Sequence, residues 1–317
     1  MSDRPAAAPA LGIVIAARNM EDFIGETLDS IAHQTLQSLE VVVVNDGSTD
    51  ATAAIVASAA EGDPRIRLIS GPGNGVSAAR NRGLAEIAAP LVLFLDADDL
   101  LGAGACERLV AALDGAPKAI AAIGCICRIR EDGALMDPDR PAPKFPAKPG
   151  LEALLRKNFI VNGGSICMRT SAVRRIGGFD TRLKFAEDWE MWCRLCLEGG
   201  LVTLENLVAL YYRQRARGAN YTARIDPYAR RIEALDIIAE NPDLRRRLGG
   251  ERLLKLLRDY RIDTFWSGVR NEFTLGSRLK ALRIAALGAV MYPDSVMRPQ
   301  LILRFVRSLL PQPRTAS

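Results

Sequence analysis

Pro90-Leu-Val-Leu-Phe-Leu-Asp-Ala-Asp-Asp-Leu100 is the stretch on which the fold turns. Its five apolar residues, Leu91 to Leu95, run unbroken and end in three carboxylates, Asp96, Asp98 and Asp99. A short continuous apolar run bounded by polar residues fits a strand covered on both faces, as in the middle of an α/β sheet. Open α/β sheets take ligands beyond the carboxyl ends of their strands. Acids at that edge can hold a hard divalent cation, which can offset the charge of a diphosphate. They can equally cap a helix or line a solvated turn.

Outward from this strand the same pattern repeats. Leu11–Ala17 and Leu39–Val44 read as two further buried strands and Ile66–Ser70 as a third, short strand. Between them, Phe23–Gln34 has Ile24, Leu28 and Ile31 on one helical stripe, an Ala-rich helix follows Asp50, and Val76–Ile87 reads as a third helix. Strands alternating with helices predict an α/β fold with a mostly parallel, doubly wound, Rossmann-like sheet. Two loops stand out chemically. Asp46 ends a buried strand, where a carboxylate can accept from a base imide or a ribose hydroxyl. Gly73-Asn-Gly-Val-Ser77 opens a helix with backbone N–H groups, and Arg80 follows within it; a helix start with an arginine favours phosphate.

Three segments carry a resemblance. Asn45-Asp-Gly-Ser-Thr-Asp50, Asn74-Gly-Val-Ser-Ala-Ala-Arg-Asn-Arg-Gly-Leu84 and Phe94-Leu-Asp-Ala-Asp-Asp-Leu100 follow the order and spacing of the family 2 glycosyltransferases, which residues 11–215 resemble. The resemblance implies a GT-A fold, a nucleotide-diphospho-sugar donor (a UDP-sugar first), a divalent cation, Mn2+ or Mg2+, and an inverting mechanism of the hexosyltransferase type. By the same resemblance Asp46 matches the acid at the nucleobase. Asp96 and Asp98 match the D-x-D pair at the ribose and the metal–diphosphate, with Asp98 favoured for direct metal contact. Ala16, Ala17, Arg18, Glu21, Gly75, Arg80 and Ala97 fall on the nucleotide-sugar site. Ala16-Ala17-Arg18 stands where many members have Pro-Thr-Tyr, so the stacking ring is replaced by the Arg18 guanidinium plane.

In the second half of this body, Ala119–Ile129 and the end of Asn158–Met168 read as strands, Asp137–Pro149 as a loop near the acceptor, and Leu201–Leu210 as a closing strand pair or strand–turn. Glu187-Asp-Trp189 opens a helix whose first-turn acids suit the macrodipole. In the family an acidic pair followed by an aromatic supplies the general base here, which points to Asp188 with Glu187 beside it. Trp189, Arg213 and Arg215 are candidates for the acceptor and diphosphate. Many relatives have Tyr-Arg-x-His where this chain has Tyr212-Arg-Gln-Arg215, and its single histidine is His33. Arg213, Arg215 and Arg217 are therefore expected to clamp diphosphate electrostatically.

Composition bounds the rest. The chain has 317 residues, 49% hydrophobic and 25% charged, enough for one large or two medium domains. Residues 1–218 hold 24 Lys/Arg against 27 Asp/Glu, whereas residues 219–317 hold 18 against 10. A basic tail on a mildly acidic body suits an anionic partner such as a membrane surface, but helices this short and mixed favour packing on the catalytic domain with the arginines in solvent. The expected organisation is a disordered arm at 1–10, a glycosyltransferase domain at 11–218 and a basic α-helical region at 219–317. Helical spacing appears over 227–239, 251–266, 275–289 and 295–310. No signal-peptide pattern or apolar run of spanning length is present. The six cysteines suit reduced thiols rather than zinc.

The sequence thus predicts an inverting glycosyltransferase. It moves a sugar to a hydroxyl of a glycan or lipid-linked acceptor in cell-envelope polysaccharide synthesis. The expected location is cytoplasmic or peripheral at the inner face of an anionic membrane, with no nucleic-acid partner. Two rivals stand beside this reading: a nucleotidyltransferase, which would need a Gly-rich loop after the first strand, and a non-catalytic nucleotide-sugar-binding module.

Overall fold

The computed structural model describes residues 8–136, 144–215 and 231–296. Residues 1–7 of the expected arm, 137–143 of the expected acceptor loop, Arg217, Gly218 and residues 297–310 of the last helical segment lie outside the described residues, as do Arg298, Arg304 and Arg307. The chain divides into two compact units, Met1–Gln214 and Arg215–Ser317.

The first unit opens with β1 (Leu11–Ala17), α1 (Ile24–Ala32), β2 (Leu39–Asn45), α2 (Thr52–Gly62), β3 (Ile66–Ser70), α3 (Val76–Glu86) and β4 (Leu91–Asp96). It continues through β5 (Leu100–Leu101), α4 (Ala105–Asp114), β6 (Ala119–Ile129), α5 (Leu151–Arg156), a 3-10 turn at Gly163–Ser165, β7 (Ile166–Arg169), α6 (Thr170–Arg175), α7 (Glu187–Leu195) and β8 (Gly200–Arg213). One sheet holds every strand in the order β3-β2-β1-β4-β7-β6-β8-β5. The β3-β2-β1-β4 half is parallel. Strand β7 runs against β4 and β6, β8 runs parallel to β6, and β5 runs against β8. Six strands therefore share one direction, and the mostly parallel expectation holds within a mixed sheet.

Two apolar faces explain why the central strands read as solid apolar runs. Ile13, Ile15, Val41, Val43, Leu93 and Leu95 pack under Leu28 and Ile31 of α1, Val56 of α2 and Leu109 of α4. The alternate residues face the other way, where Val14 and Val44 crowd against Gly83 of α3. Leu91 to Leu95 are each no more than 4% exposed, so β4 is covered on both sides. A strand of that kind ends where its first charged residue meets solvent, and β4 ends at Asp96.

The later half differs from the sequence reading. Residues 201–210 belong to one 14-residue strand rather than a strand pair or strand–turn, and it runs on to Arg213. Register shifts against β6 at Gly124 and Cys125 let this strand bend. Helices α4, α5 and α6 and the two-residue β5 had no counterpart in that reading.

The second unit has a core of its own. It holds α8 (Ile232–Glu240), α9 (Pro242–Leu248), α10 (Gly250–Leu275), α11 (Arg278–Met291) and α12 (Pro293–Val296). Asn241 caps α9, accepting from the backbone N–H of Asp243 and Leu244 at 3.0 Å each. Ile262, Phe265 and Val269 of α10 bury against Tyr292, with Ile284 and Ala285 of α11 packed on them. The segment expected at 251–266 is a 26-residue helix. Among the described residues, no helix is long and apolar enough to cross a membrane.

Candidate active site

The site is assembled at the carboxyl ends of β2 and β4 and the first turn of α7. Asp96 closes β4, and the turn after it carries Asp98 and Asp99. The carboxylate oxygens of these three residues lie within 4.8 Å of one another, and they form the only such His/Cys/Asp/Glu group among the described residues. Cys125, Cys127, Cys193 and Cys196 are free thiols outside this group.

The three aspartates are not equivalent. Asp99 is fully buried. Its Oδ1 accepts from the Arg213 backbone N–H at 2.8 Å and its Oδ2 from Asn162 Nδ2 at 2.8 Å. Burial, with the Asp96 and Asp98 charges beside it, holds its carboxyl well above the ordinary range. Asp96 accepts from Arg80 Nη2 at 2.6 Å on one oxygen and from Asn162 Nδ2 at 2.9 Å on the other. Asp98 is half-buried, and its backbone carbonyl, rather than its carboxylate, receives Arg213 Nε at 2.8 Å. A hard oxygen donor set of this size fits Mn2+ or Mg2+. Asp98 would be the first ligand and Asp96 the second, while Asp99 is a buried strut held by Arg213 and Asn162.

Arg80 joins this cluster to α7. Its side chain is buried in α3, lies over the Phe179 ring at 5.1 Å, and extends Nη1 to Glu187 Oε1 at 2.8 Å. A buried guanidinium needs such paired acceptors to offset its desolvation. Beside Glu187, Asp188 accepts from the Trp189 backbone N–H at 2.6 Å. Desolvation and the adjacent Glu187 charge push the Asp188 carboxyl up to about 7, against the pull of Arg80. Ala186, the residue before the pair, sits at φ 61°, a left-handed conformation that costs a non-glycine residue energy and that only its surroundings can enforce.

Other sequence-selected residues take supporting places. Asp46 is buried at the end of β2, and its carboxylate receives the backbone N–H of Gly73 at 2.7 Å and of Gly75 at 3.1 Å. The glycine loop expected to cradle phosphate thus turns these two N–H groups onto its own protein, because Gly75 enters α3 at φ 94°, open to glycine. Glu21 receives the Ala51 N–H at 2.8 Å and so serves the start of α2. Ala16 pairs with Asp96 across the sheet. Ala17 is buried and accepts the Asp46 N–H at 2.9 Å. Arg18 is exposed at the rim, and buried Ala97 accepts Thr27 Oγ1 at 3.0 Å.

Two expectations are corrected. Arg213 was expected to clamp diphosphate, but its side chain is fully buried. It donates to the carbonyls of Asp98 and Glu131 and to Glu26 Oε2, so it anchors the aspartate turn. Trp189 was expected near the acceptor. It is 1% exposed with its indole N–H on the Leu154 carbonyl at 3.0 Å, and it fixes α7 to α5. Arg215 follows β8 and is half-buried.

Two residues were missed. Asn162, 4% exposed, bridges Asp96 and Asp99 and caps the 3-10 turn by accepting from the Gly164 N–H at 2.8 Å. The Asn-Gly-Gly-Ser tetrapeptide was its only signal. Tyr212 is half-buried on β8, where burial and the charges of Asp99, Asp96 and Asp188 all push its phenol upward.

A family model described as "Glycosyl transferase family 2" matches residues 12–177, and the chain belongs to that family. A teichoic acid poly(glycerol phosphate) polymerase of Staphylococcus epidermidis is 33% identical over 182 residues, covering 56% of this chain and 25% of the relative. The chain spans about half or less of the length of three other curated relatives (30%, 54% and 14%). The S. aureus TarS 1–349 structure, in complex with UDP-GlcNAc, is similar with TM-score 0.67 and 20% identity, covering 90% of this chain and 81% of that one. The mannosyltransferase PcManGT from Pyrobaculum calidifontis, in complex with GDP-Man and Mn2+, is similar with TM-score 0.59 and 21% identity, covering 96% and 87%. The fold is therefore GT-A with a helical C-terminal region.

Proposed function

We propose that this glycosyltransferase moves a sugar from a nucleotide-diphospho-sugar, a UDP-sugar first, to an acceptor hydroxyl with inversion. The observation that carries this reading is the Arg80 bridge, which ties Asp96 of the aspartate cluster to Glu187 beside Asp188. A metal-ligating edge and a proton acceptor in one site is what direct displacement at an anomeric carbon requires. Asp188, with its carboxyl near 7, takes the proton from the acceptor hydroxyl. The hydroxyl oxygen attacks the anomeric carbon, and the nucleoside diphosphate leaves from the opposite face with the bonding electrons. A divalent cation bound at Asp98 and Asp96 would offset the charge building on that leaving group. PcManGT, whose structure holds Mn2+ with its donor, supports such a cation, and TarS, whose structure holds UDP-GlcNAc, supports the UDP-sugar.

The acceptor we infer is a growing glycan or lipid-linked polymer of the cell envelope, a reading supported by the relative named as a teichoic acid polymerase. A cytoplasmic location, at the inner face of a membrane where the acceptor is lipid-linked, suits a nucleotide-sugar donor and the six free cysteines. Asp98→Ala should weaken nucleotide-diphosphate binding and abolish its Mn2+ dependence while circular dichroism stays unchanged. Calorimetric titration of UDP with and without Mn2+ measures this. Unchanged Mn2+-dependent binding in the variant would refute the metal assignment.

A further inference from the structure

Helix α11 is apolar on two opposite sides. One side is accounted for: Ala281 and Gly288 are buried, and Ile284 and Ala285 pack on the core of Ile262, Phe265, Val269 and Tyr292. The other side carries Leu279, Leu282, Leu287 and Val290, exposed by 61, 56, 55 and 78%. Positions 279, 282, 286 and 290 recur at helical spacing, and all four are apolar and exposed, so they form one stripe rather than scattered contacts. A helix on a soluble protein normally turns a polar face outward. Isolated surface leucines need no explanation, but a contiguous stripe of them does.

Charge decides what covers this stripe. Residues Arg278–Met291 include Arg278, Lys280 and Arg283 and no Asp or Glu. Arg283 sits one residue from Leu282 on the outward side and is itself exposed. Residues 219–317 as a whole hold 18 Lys/Arg against 10 Asp/Glu. Lys280 pairs with Glu272 at 3.2 Å, which leaves Arg278 and Arg283 as the cations of the helix outside that pair. An apolar stripe beside such cations complements a surface of anionic headgroups over hydrocarbon. There the leucines enter the acyl boundary while the long basic side chains reach back to phosphate. At about 1.5 Å per residue the helix is about 21 Å long, shorter than the ~30 Å hydrocarbon core, so it would lie in the interface rather than span it.

We propose that the outward face of α11 is a docking surface for an anionic phospholipid bilayer. The surface is outside the catalytic unit and stands independently of the glycosyl-transfer reading.

Co-sedimentation of the full chain with phosphatidylglycerol-containing vesicles tests it, with pure phosphatidylcholine vesicles in parallel. The wild type should bind the anionic vesicles and not the neutral ones, and about 1 M salt, with a Debye length of ~3 Å, should weaken the binding. Arg283→Gln should lower partitioning about five-fold. Val290→Glu, at an exposed position where the fold tolerates it, should lower it about ten-fold or more. Donor hydrolysis by the same variants reads the catalytic unit separately and should stay at the wild-type rate. No binding of the wild type to anionic vesicles, or equal binding by Val290→Glu, overturns the proposal. A wild-type dimer in sedimentation velocity that Val290→Glu dissociates, with vesicle binding unchanged, would assign the face to a second copy instead. A fall in melting temperature in Val290→Glu with vesicle binding unchanged would assign it to residues 297–317 of the same chain.

Discussion

At the residue scale, one environment gives Asp188 both its reactivity and its cost. Desolvation and the Glu187 charge raise its carboxyl from 3.8 to about 7. A base acts only when ionised, so kcat/KM should climb as pH rises through about 7 and then level. Asp188→Asn should remove that limb and lower transfer by about 10²–10⁴-fold, with donor affinity kept. A pH–rate profile of sugar transfer checks both. Stability has the opposite sign. Between 3.8 and about 7 the folded protein binds more protons at Asp188 than the unfolded chain, so stability falls as pH rises across that window. Asn in its place can still accept the Trp189 N–H. Urea melts in EDTA should therefore find Asp188→Asn more stable than wild type at pH 8, and the gap should close near pH 4. A gap that widens at low pH would contradict the assignment. Asn162 is a second residue with a double role. Asn162→Ala leaves one oxygen of Asp96 and one of buried Asp99 without their donor, which should cost about 1–3 kcal/mol of stability. It should also weaken Mn2+ binding, measured by electron paramagnetic resonance. A stability loss with Mn2+ affinity intact would reduce Asn162 to a fold residue.

At the element scale, the 3-10 turn that carries Asn162 is held against β4 at close range. A Cβ on Gly163 would lie 2.7 Å from the Phe94 carbonyl oxygen and 3.2 Å from the Phe94 Cβ, with backbone that cannot swing away. Gly163→Ala should then push the turn off the strand, at a cost of about 1–3 kcal/mol. Because Asn162 moves with it, Mn2+ affinity should fall in the same variant, and a melting curve with a Mn2+ titration on one preparation tests the link. This part of the site was the least legible in the sequence. Strands β1, β2 and β4 announce themselves as apolar runs because both their faces are buried, and the acids after β2 and β4 fall where a strand must stop. Asp96 and Asp98 stood out as candidates for that reason and through the family resemblance, and Asp188 through the resemblance and its place at a helix start. Asn162 was not, since a single amide before two glycines looks like any turn. Its partners Asp96 and Asp99 lie more than sixty residues away. Arg213 misled for a related reason: sequence shows its charge but not that β8 runs on to bury it beneath the aspartate turn. Asp46 was placed correctly at a strand end, yet the glycine loop that folds back onto its carboxylate is a tertiary event.

At the scale of the whole molecule, the two units have separate cores, one under the sheet and one between α10 and α11. Separate cores permit separate unfolding, and a single two-state transition is then not expected. The three tryptophans divide conveniently: Trp189 and Trp192 are buried in the first unit, and Trp266 packs in the second with its indole N–H on Ser295 Oγ at 2.9 Å. In a Trp266→Phe variant, fluorescence reports the catalytic unit alone. UDP with Mn2+ binds the folded site and not the unfolded chain, so at about 100 times its dissociation constant it should add about 2.7 kcal/mol to that unit. The fluorescence transition should move to higher guanidinium. Circular dichroism, which also sees the helices of residues 231–296, should then split into a shifted and an unshifted phase. A second phase that moves together with the first would mean that the two units unfold as one, and that binding at the aspartates is felt throughout the chain.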